Sequence, residues 1–182
     1  MANETIMPIN CPNCSKYIIK TIPEGDTHER SVCTKCDQIF YENPKIVTGI
    51  IPLFENKILL CKRNIEPRKN FWTVPSGFME LNETLKEAAL RESYEEAGIR
   101  PTIDCLHTIY DLPHIGQVYF LFIGHCSTMD HQPGIETIES KWVSYDDIPW
   151  NDIAFSSVTF GLKNLYSPGI HFGSYDEKKP SI

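Results

Sequence analysis

The chain has 182 residues, 41% of them hydrophobic and 23% charged, with a formal net charge of −7. This composition is typical of a globular protein with room for one domain and a small appendage. The negative charge argues against a nucleic-acid binder, because phosphate backbones are held mainly by lysine and arginine. No apolar run is long enough to span a bilayer and no secretory signal is visible, so we expect no membrane partner and a cytoplasmic location.

Residues 1–44 are predicted to form a loose tail followed by a small zinc ribbon. After the tail, the segment is polar and poor in aliphatic residues. It therefore needs disulfide bonds or a bound metal ion in order to fold. Its cysteines form two CxxC pairs separated by eighteen residues, a spacing typical of a four-cysteine zinc site: Cys11/Cys14 and Cys33/Cys36. Because protein ligands would fill all four positions around the ion, this zinc is expected to be structural. Two disulfides or a redox-active dithiol are the alternatives, which a reducing cytosol disfavours.

The segment resembles zinc ribbons with one departure. Ribbon turns often place glycine after the second cysteine of each pair, where this chain has Ser15 and Asp37, residues that tolerate a left-handed backbone less well. Residues 1–45 carry five Lys/Arg against six Asp/Glu, which is no basic face. We therefore expect a stabilising or dimer-forming appendage and no nucleic-acid contact.

After Pro44 the sequence predicts strands and helices of one larger domain, residues 45–166. The order is a hairpin, a turn-rich stretch, a helix, three further strands and a closing helix, which predicts an α/β fold with a mixed sheet packed between helices. Three single cysteines in strand-like surroundings are expected to be buried: Cys61, Cys105 and Cys126. The predicted elements are strands at 46–54, 57–63, 104–110, 117–125 and 140–144, helices at 83–97 and 156–165, and a frayed tail at 167–182.

The helix at 83–97, with Asn82 placed as its N-cap and Gly98 ending it, concentrates carboxylates at its C-terminal end. Glu92, Glu95 and Glu96 lie at i, i+3 and i+4 and therefore share one face, which is also the apolar face of the helix. Their mutual repulsion is relieved in part by an i, i+4 pairing of Arg91 with Glu95, and more completely by a divalent cation. Oxygen ligands alone favour Mg²⁺ or Mn²⁺. A solvated acidic helix end is the alternative.

The stretch Gly77–Ile99 resembles the Nudix box, G-x5-E-x7-R-E-U-x-E-E-x-G-U, where U is a bulky aliphatic residue. Eight positions agree, and Ser93 at the first U position is the one departure, which is expected to weaken packing. The resemblance implies the Nudix α/β/α sandwich, a metal-dependent hydrolase, and a dimer. It also implies a Mg²⁺ site made of the Gly77 carbonyl with Glu92, Glu95 and Glu96, held in place by Arg91 and Glu83.

Outside the box, two further glutamates, Glu136 and Glu139, precede a strand where Nudix enzymes often contribute an extra catalytic glutamate, so they are candidates for the proton acceptor together with Glu95 and Glu96. Arg63, Trp72 and Tyr119 are candidate substrate contacts. Stretches at 43–47, 65–72, 112–119 and 148–155 resemble zinc-ribbon Nudix proteins related to FAD pyrophosphatases.

This narrower resemblance implies that the partner is a small nucleotide, FAD or an ADP-ribose-like dinucleotide, split into AMP and a second monophosphate. An NADH pyrophosphatase is the alternative, although the SQPWPFPxS stretch of that group is absent after Ile99. A nucleotide sensor without activity and a ribbon-based nucleic-acid or partner adaptor are the rivals from other classes. Retention of every box glutamate disfavours the sensor, and the charge count disfavours the adaptor.

Overall fold

The computed structural model describes residues 10–175, and the chain divides into two compact units between Asn43 and Pro44. In the first unit a three-stranded antiparallel sheet has the order β1-β2-β3. Its strands are β1 (Ile18–Thr21), β2 (Arg30–Cys33) and β3 (Ile39–Phe40). Most of the predicted N-terminal tail, residues 1–9, lies outside the described residues.

The second unit is built on one mixed sheet with the strand order β10-β5-β4-β9-β8-β11, with β6 beside β5 and β7 beside β4. Strand β4 runs parallel to β9 and β11 parallel to β8, whereas the other pairs are antiparallel. The elements are β4 (Lys45–Phe54), β5 (Lys57–Arg63), β6 (Trp72–Thr73), β7 (Ser76–Phe78), α1 (Leu85–Ala97), β8 (Thr102–Leu112), β9 (Gln117–His125), β10 (Thr137–Ser144), α2 (Ser156–Lys163) and β11 (His171–Ser174).

The two helices cover opposite faces of this sheet. Successive residues of a strand point to opposite faces, and Ile50 and Ile51 of β4, both fully buried, belong to different clusters. Ile50 packs with Ala89 of α1, whereas Ile51 packs in the cluster that contains Val158 of α2. The predicted mixed sheet between helices is therefore confirmed. No helix among the described residues has the length and apolar character needed to cross a membrane.

Helix α1 begins two residues later than predicted, and Asn82 is not its cap. Thr84 is the N-cap, because its side chain accepts the N–H of Glu87 while the Glu87 carboxylate accepts the N–H of Thr84. This reciprocal capping box satisfies two otherwise unpaired donors. Asn82 has a φ of +68° in the preceding turn. The predicted end at Gly98 is confirmed, with a left-handed φ of +66°.

Two further expectations are wrong. The predicted frayed tail at 167–182 contains strand β11, which pairs with β8. It can approach because Gly173 has no side chain, and a β-carbon there would come within 2.7 Å of Tyr110 and 2.9 Å of Phe160. Residues 176–182 lie outside the described residues. Cys105 is exposed and not buried, since a register shift between Ile103 and Cys105 leaves it and Asp104 outside, whereas Cys61 is buried.

Candidate active site and zinc site

The four ribbon cysteines converge in the first unit. Their sulfur atoms all lie within 4.8 Å of one another, and the group is the only set of three or more potential metal ligands this close among residues 10–175. Cys14 Sγ is 3.4 Å from Cys33 Sγ and 3.7 Å from Cys36 Sγ, which is too long for a disulfide and suited to ligands around a shared ion. The residues after each pair, Ser15 and Asp37, have φ values of +58° and +55°, as the ribbon resemblance predicted.

Arg91 is the centre of the ion-pair network of the box. Its guanidinium donates to both carboxylate oxygens of Glu83, at 3.1 and 2.8 Å, and to the carbonyl oxygen of Phe78 at 3.0 Å. It also donates to Glu92 at 2.6 Å and to Glu95 at 3.0 Å, the latter being the predicted i, i+4 pair. The contacts to Glu83 and Phe78 fasten the loop before α1 to the helix. The three carboxylates, Glu83 most of all, raise the pKa of Arg91.

Glu96 differs from its neighbours because no arginine or lysine among residues 10–175 contacts it. It is 7% exposed, and its Oε2 accepts the backbone N–H of Ser76 at 3.0 Å. Burial raises the pKa of Glu96 to about 8. Ser76 Oγ lies 3.1 Å from the Val74 carbonyl oxygen, to which it donates, so Tyr119 is the donor in its 3.0 Å contact with Ser76 Oγ. Burial also raises the pKa of Tyr119 to about 12, which keeps this phenol protonated.

Gly77 is glycine because Glu92 occupies the space of a side chain. A β-carbon built on Gly77 would overlap the carboxylate of Glu92. Burial raises the pKa of Glu92 although Arg91 opposes the effect. Ser93, the departure from the box pattern, is fully buried, and its hydroxyl donates to the Ala89 carbonyl oxygen at 2.8 Å. The polar substitution is thereby satisfied within the helix.

These groups line a cavity of about 690 Å³ in the second unit. The predicted residues that line it are Arg63, Gly77, Glu92, Glu95, Glu96, Tyr119 and Glu136. Glu136 is close enough to Glu92 and Glu96 to add to the rise that burial causes in the pKa of both. Among all the residues that line the cavity, Arg63 is the only lysine or arginine, against six glutamates.

Four predicted residues do not line the cavity, and Arg91, the centre of the ion-pair network, is one of them. Glu83 instead holds Arg91. Glu139 is exposed on β10, opposite Lys62. Trp72 is only 6% exposed, because β6 pairs with β5 and the indole packs in the main apolar cluster. Lys141 Nζ lies 4.3 Å from the centre of its ring. Trp72, a predicted substrate contact, therefore lies in the core and away from the cavity.

The sequence did not assign a role to several lining residues, although five apolar ones among them lie in the stretches at 65–72, 112–119 and 148–155 that resemble zinc-ribbon Nudix proteins. Ser76 contributes a backbone N–H, a group that every residue type except proline carries, so no sequence signal marked it. The apolar walls come from residues on separate segments that meet only in the folded chain: Ile65, Pro67, Leu112, Ile115, Ile135 and Phe155. Four of these also line a second cavity of about 540 Å³, so the two cavities adjoin: Pro67, Leu112, Ile115 and Phe155.

The carboxylates of Glu92, Glu95 and Glu96 do not gather as closely as the cysteines do. The contacts explain this, since Arg91 draws Glu92 and Glu95 while the loop N–H of Ser76 holds Glu96. The fit to a divalent cation therefore rests on the donor set and burial. Three carboxylates and a backbone carbonyl offer only oxygen. The most buried of these carboxylates forms no ion pair within the described part of the chain.

Comparison with known proteins gives consistent matches over both units. A domain model described as "NUDIX domain" matches residues 43–159, and one described as "Nudix N-terminal", a zinc ribbon, matches residues 10–42. An ADP-ribose pyrophosphatase from Methanocaldococcus jannaschii is 43% identical over 74 residues, 40% of this chain and 43% of that protein. An NAD-capped RNA hydrolase NudC from Edwardsiella ictaluri is 32% identical over 124 residues, 65% of this chain and 46% of that protein. The chain spans less than half the length of these two curated relatives.

Solved structures agree with the fold. An ADP-ribose pyrophosphatase from Streptococcus suis has a TM-score of 0.58 at 22% identity, covers 73% of this chain and 100% of that chain, and shows likeness of fold alone. A Nudix hydrolase from Nitrosomonas europaea has a TM-score of 0.87 at 45% identity and covers 92% of this chain and 99% of that chain. Together with the domain model over residues 43–159, this relative of nearly equal extent shows that the chain belongs to the Nudix hydrolase family.

Proposed function

We propose that the protein hydrolyses the diphosphate bond of a nucleoside diphosphate joined to another group, with FAD or an ADP-ribose-like dinucleotide as substrate and AMP and a second monophosphate as products. The observation that carries this proposal is the acidic end of α1 at the wall of an open cavity. There Glu96, which is 7% exposed, forms no ion pair with any residue that the structure describes. A solvated acidic helix end, the alternative, would leave Glu96 exposed as Glu95 is, with 55% of its side chain accessible.

Glu92, Glu95, Glu96 and the Gly77 carbonyl would hold Mg²⁺ or Mn²⁺ at this wall. When bound, such an ion neutralises part of the diphosphate charge and lowers the pKa of an attacking water. The chain's own contribution is charge and position. Arg91 holds Glu92 and Glu95, and the Ser76 N–H fixes the orientation of the Glu96 carboxylate.

Hydrolysis also needs a group that accepts the proton of the attacking water. Glu136 is our candidate because it lines the cavity without contacting Arg91, whereas Glu139 lies outside the cavity. Arg63 would bind substrate oxygen atoms. It is held in place by its own donation to the Pro67 carbonyl oxygen at 2.9 Å and by the Phe155 ring, 4.9 Å from its guanidinium carbon.

The two adjoining cavities suit a substrate made of two parts. The first carries six glutamates, whereas the lining of the second contains no Asp or Glu and includes Arg68 and His114. A diphosphate beside a metal suits the first cavity. The group beyond it, with its ring or sugar, would extend past Ile115 and Phe155 into the second, where aromatic side chains are available for packing.

NADH hydrolysis is the second candidate, and the 32% identity with NAD-capped RNA hydrolases over 124 residues favours it. In the first unit we propose that Cys11, Cys14, Cys33 and Cys36 bind one structural zinc ion. The support for this proposal is that the four sulfur atoms lie within 4.8 Å of one another, as ligands of one tetrahedral ion must. A homodimer and a cytoplasmic location remain predictions.

The test is a substrate panel with the wild type and Glu96→Gln, using ADP-ribose, FAD, NADH and NAD-capped RNA with added Mg²⁺ or Mn²⁺. We expect metal-dependent release of AMP or its equivalent from at least one small dinucleotide. Glu96→Gln should lower kcat about 10²-fold or more, the loss that follows removal of one charge-stabilising group from other enzymes. Its circular dichroism spectrum should be unchanged. Absence of turnover on every member of the panel would refute the proposal, and turnover restricted to the capped RNA would move the substrate from a dinucleotide to a nucleic acid.

A further inference from the structure

The segment Gln132–Thr137, which we name the 132–137 loop, lies across the C-terminal end of α1. The Gln132 N–H donates to the Ala97 carbonyl oxygen at 2.8 Å, and the Gly134 N–H donates to the Glu96 carbonyl oxygen at 3.0 Å. A helix leaves its last carbonyl groups without partners, and α1 has no basic residue in its last turn. The loop therefore supplies donors that the helix itself lacks.

The approach of the loop to the helix is so close that only glycine fits at position 134. A β-carbon built on Gly134 would overlap the carbonyl oxygen of Glu95 and come within 2.9 Å of its carbonyl carbon. Both are backbone atoms of a helix packed against the sheet, so no side-chain rotation can make room. Any larger residue has to displace the loop.

Asn64, the residue after β5, holds the loop from the opposite side. Its backbone N–H donates to the Glu136 carbonyl oxygen at 2.9 Å, and its Nδ2 donates to the Ile135 carbonyl oxygen at 3.1 Å. The Asn64 side chain is exposed and does not line the cavity. Glu136 therefore lies between two sets of hydrogen bonds, one to α1 and one to Asn64 after β5. Its carboxylate is the only charged group of the 132–137 loop.

We propose that Gly134 and Asn64 are positioning residues for Glu136, and that the 132–137 loop fixes its carboxylate relative to the carboxylates of α1. The inference rests on the proposed function, in which Glu136 accepts a proton. A misplacement of about 1 Å at a reacting group lowers a rate by up to about 10²-fold. Residues that touch neither substrate nor metal therefore control turnover through the backbone of the loop.

The test measures kcat and KM for Asn64→Ala and Gly134→Ala, each alone and combined with Glu136→Gln, at saturating Mg²⁺ and with whichever of ADP-ribose and FAD the wild type turns over faster. We expect each single variant to lower kcat about tenfold or more with KM changed less than twofold. In the Glu136→Gln background the same substitutions should lower kcat less than twofold further, because the residue they position is already lost.

Asn164→Ala is the matched control. Asn164 Nδ2 also donates to a backbone carbonyl, that of Phe160 at 2.9 Å, but at the far end of α2, so its loss should leave kcat unchanged. The inference is overturned if Asn64→Ala and Gly134→Ala retain full kcat, or if their effects persist undiminished in the Glu136→Gln background. Full activity of Glu136→Gln together with inactivity of Glu96→Gln would also overturn the inference, while leaving the proposed function intact. Full activity of both variants would refute the proposed function.

Discussion

Replacement of Glu96 by glutamine should remove a pH dependence of stability that the wild type shows without added divalent cations. Burial raises the pKa of Glu96 to about 8 from an ordinary value of 4.5. Between these values the folded protein binds a proton that the unfolded chain has released. Since stability falls with rising pH wherever the folded state holds more protons, this group favours folding below about pH 4.5 and loses that contribution as pH rises to about 8.

The size of the effect follows from the two pKa values. Their difference, from 4.5 to about 8, corresponds to about 5 kcal/mol at about 1.4 kcal/mol for each pH unit. For a domain of this size, that energy amounts to a fall in Tm on the order of 10 °C across the interval. Glutamine does not titrate and still offers an oxygen to the Ser76 N–H, so the variant should lack this component while keeping the contact.

The assay is thermal unfolding followed by circular dichroism from pH 5 to pH 8.5, first without Mg²⁺ and then with it. We expect the Tm of the wild type to fall relative to that of Glu96→Gln as pH rises, and Mg²⁺ at pH 8 to raise the Tm of the wild type but not of the variant. Glu139→Gln, which changes an exposed glutamate outside the cavity, should behave as the wild type. Equal slopes for the wild type and Glu96→Gln would refute the reasoning.

Three further outcomes are expected. Burial lowers the pKa of His107, so stability should fall as pH drops below about 6.5, where the unfolded imidazole binds a proton first; unfolding of His107→Gln at pH 5 to 7 should show a flatter curve. Gly77→Ala should shift the Mg²⁺ titration of activity to higher concentration, because the new methyl group displaces Glu92, and an unshifted titration would contradict this. Chelation of zinc should abolish hydrogen-exchange protection in β1 and β2 but not in α1; persistent protection in both strands would contradict a metal-stapled ribbon.

The sequence predicted those parts of the molecule whose signal is local. Periodic apolar runs located β4, β5 and β9 nearly to the residue, because a buried strand must alternate or remain apolar over its length. The box pattern predicted the pairing of Arg91 with Glu95 because residues at i and i+4 are neighbours on any helix. The sequence pattern carried no signal for contacts between segments that lie far apart along the chain. Strand β11 depends on Gly173 reaching Tyr110, and the cavity walls depend on loops that meet only after folding.

Three glutamates of one motif are chemically identical in the sequence, yet the fold gives them different electrostatic states. Arg91 already compensates Glu92 and Glu95, at 2.6 and 3.0 Å, whereas Glu96 is more buried and receives only a backbone N–H. A divalent cation that binds all three must compete with Arg91 for two of them, whereas no arginine or lysine of residues 10–175 contacts the third. The energetic gain from metal binding is therefore concentrated at Glu96, the carboxylate whose ionised form the protein alone stabilises least.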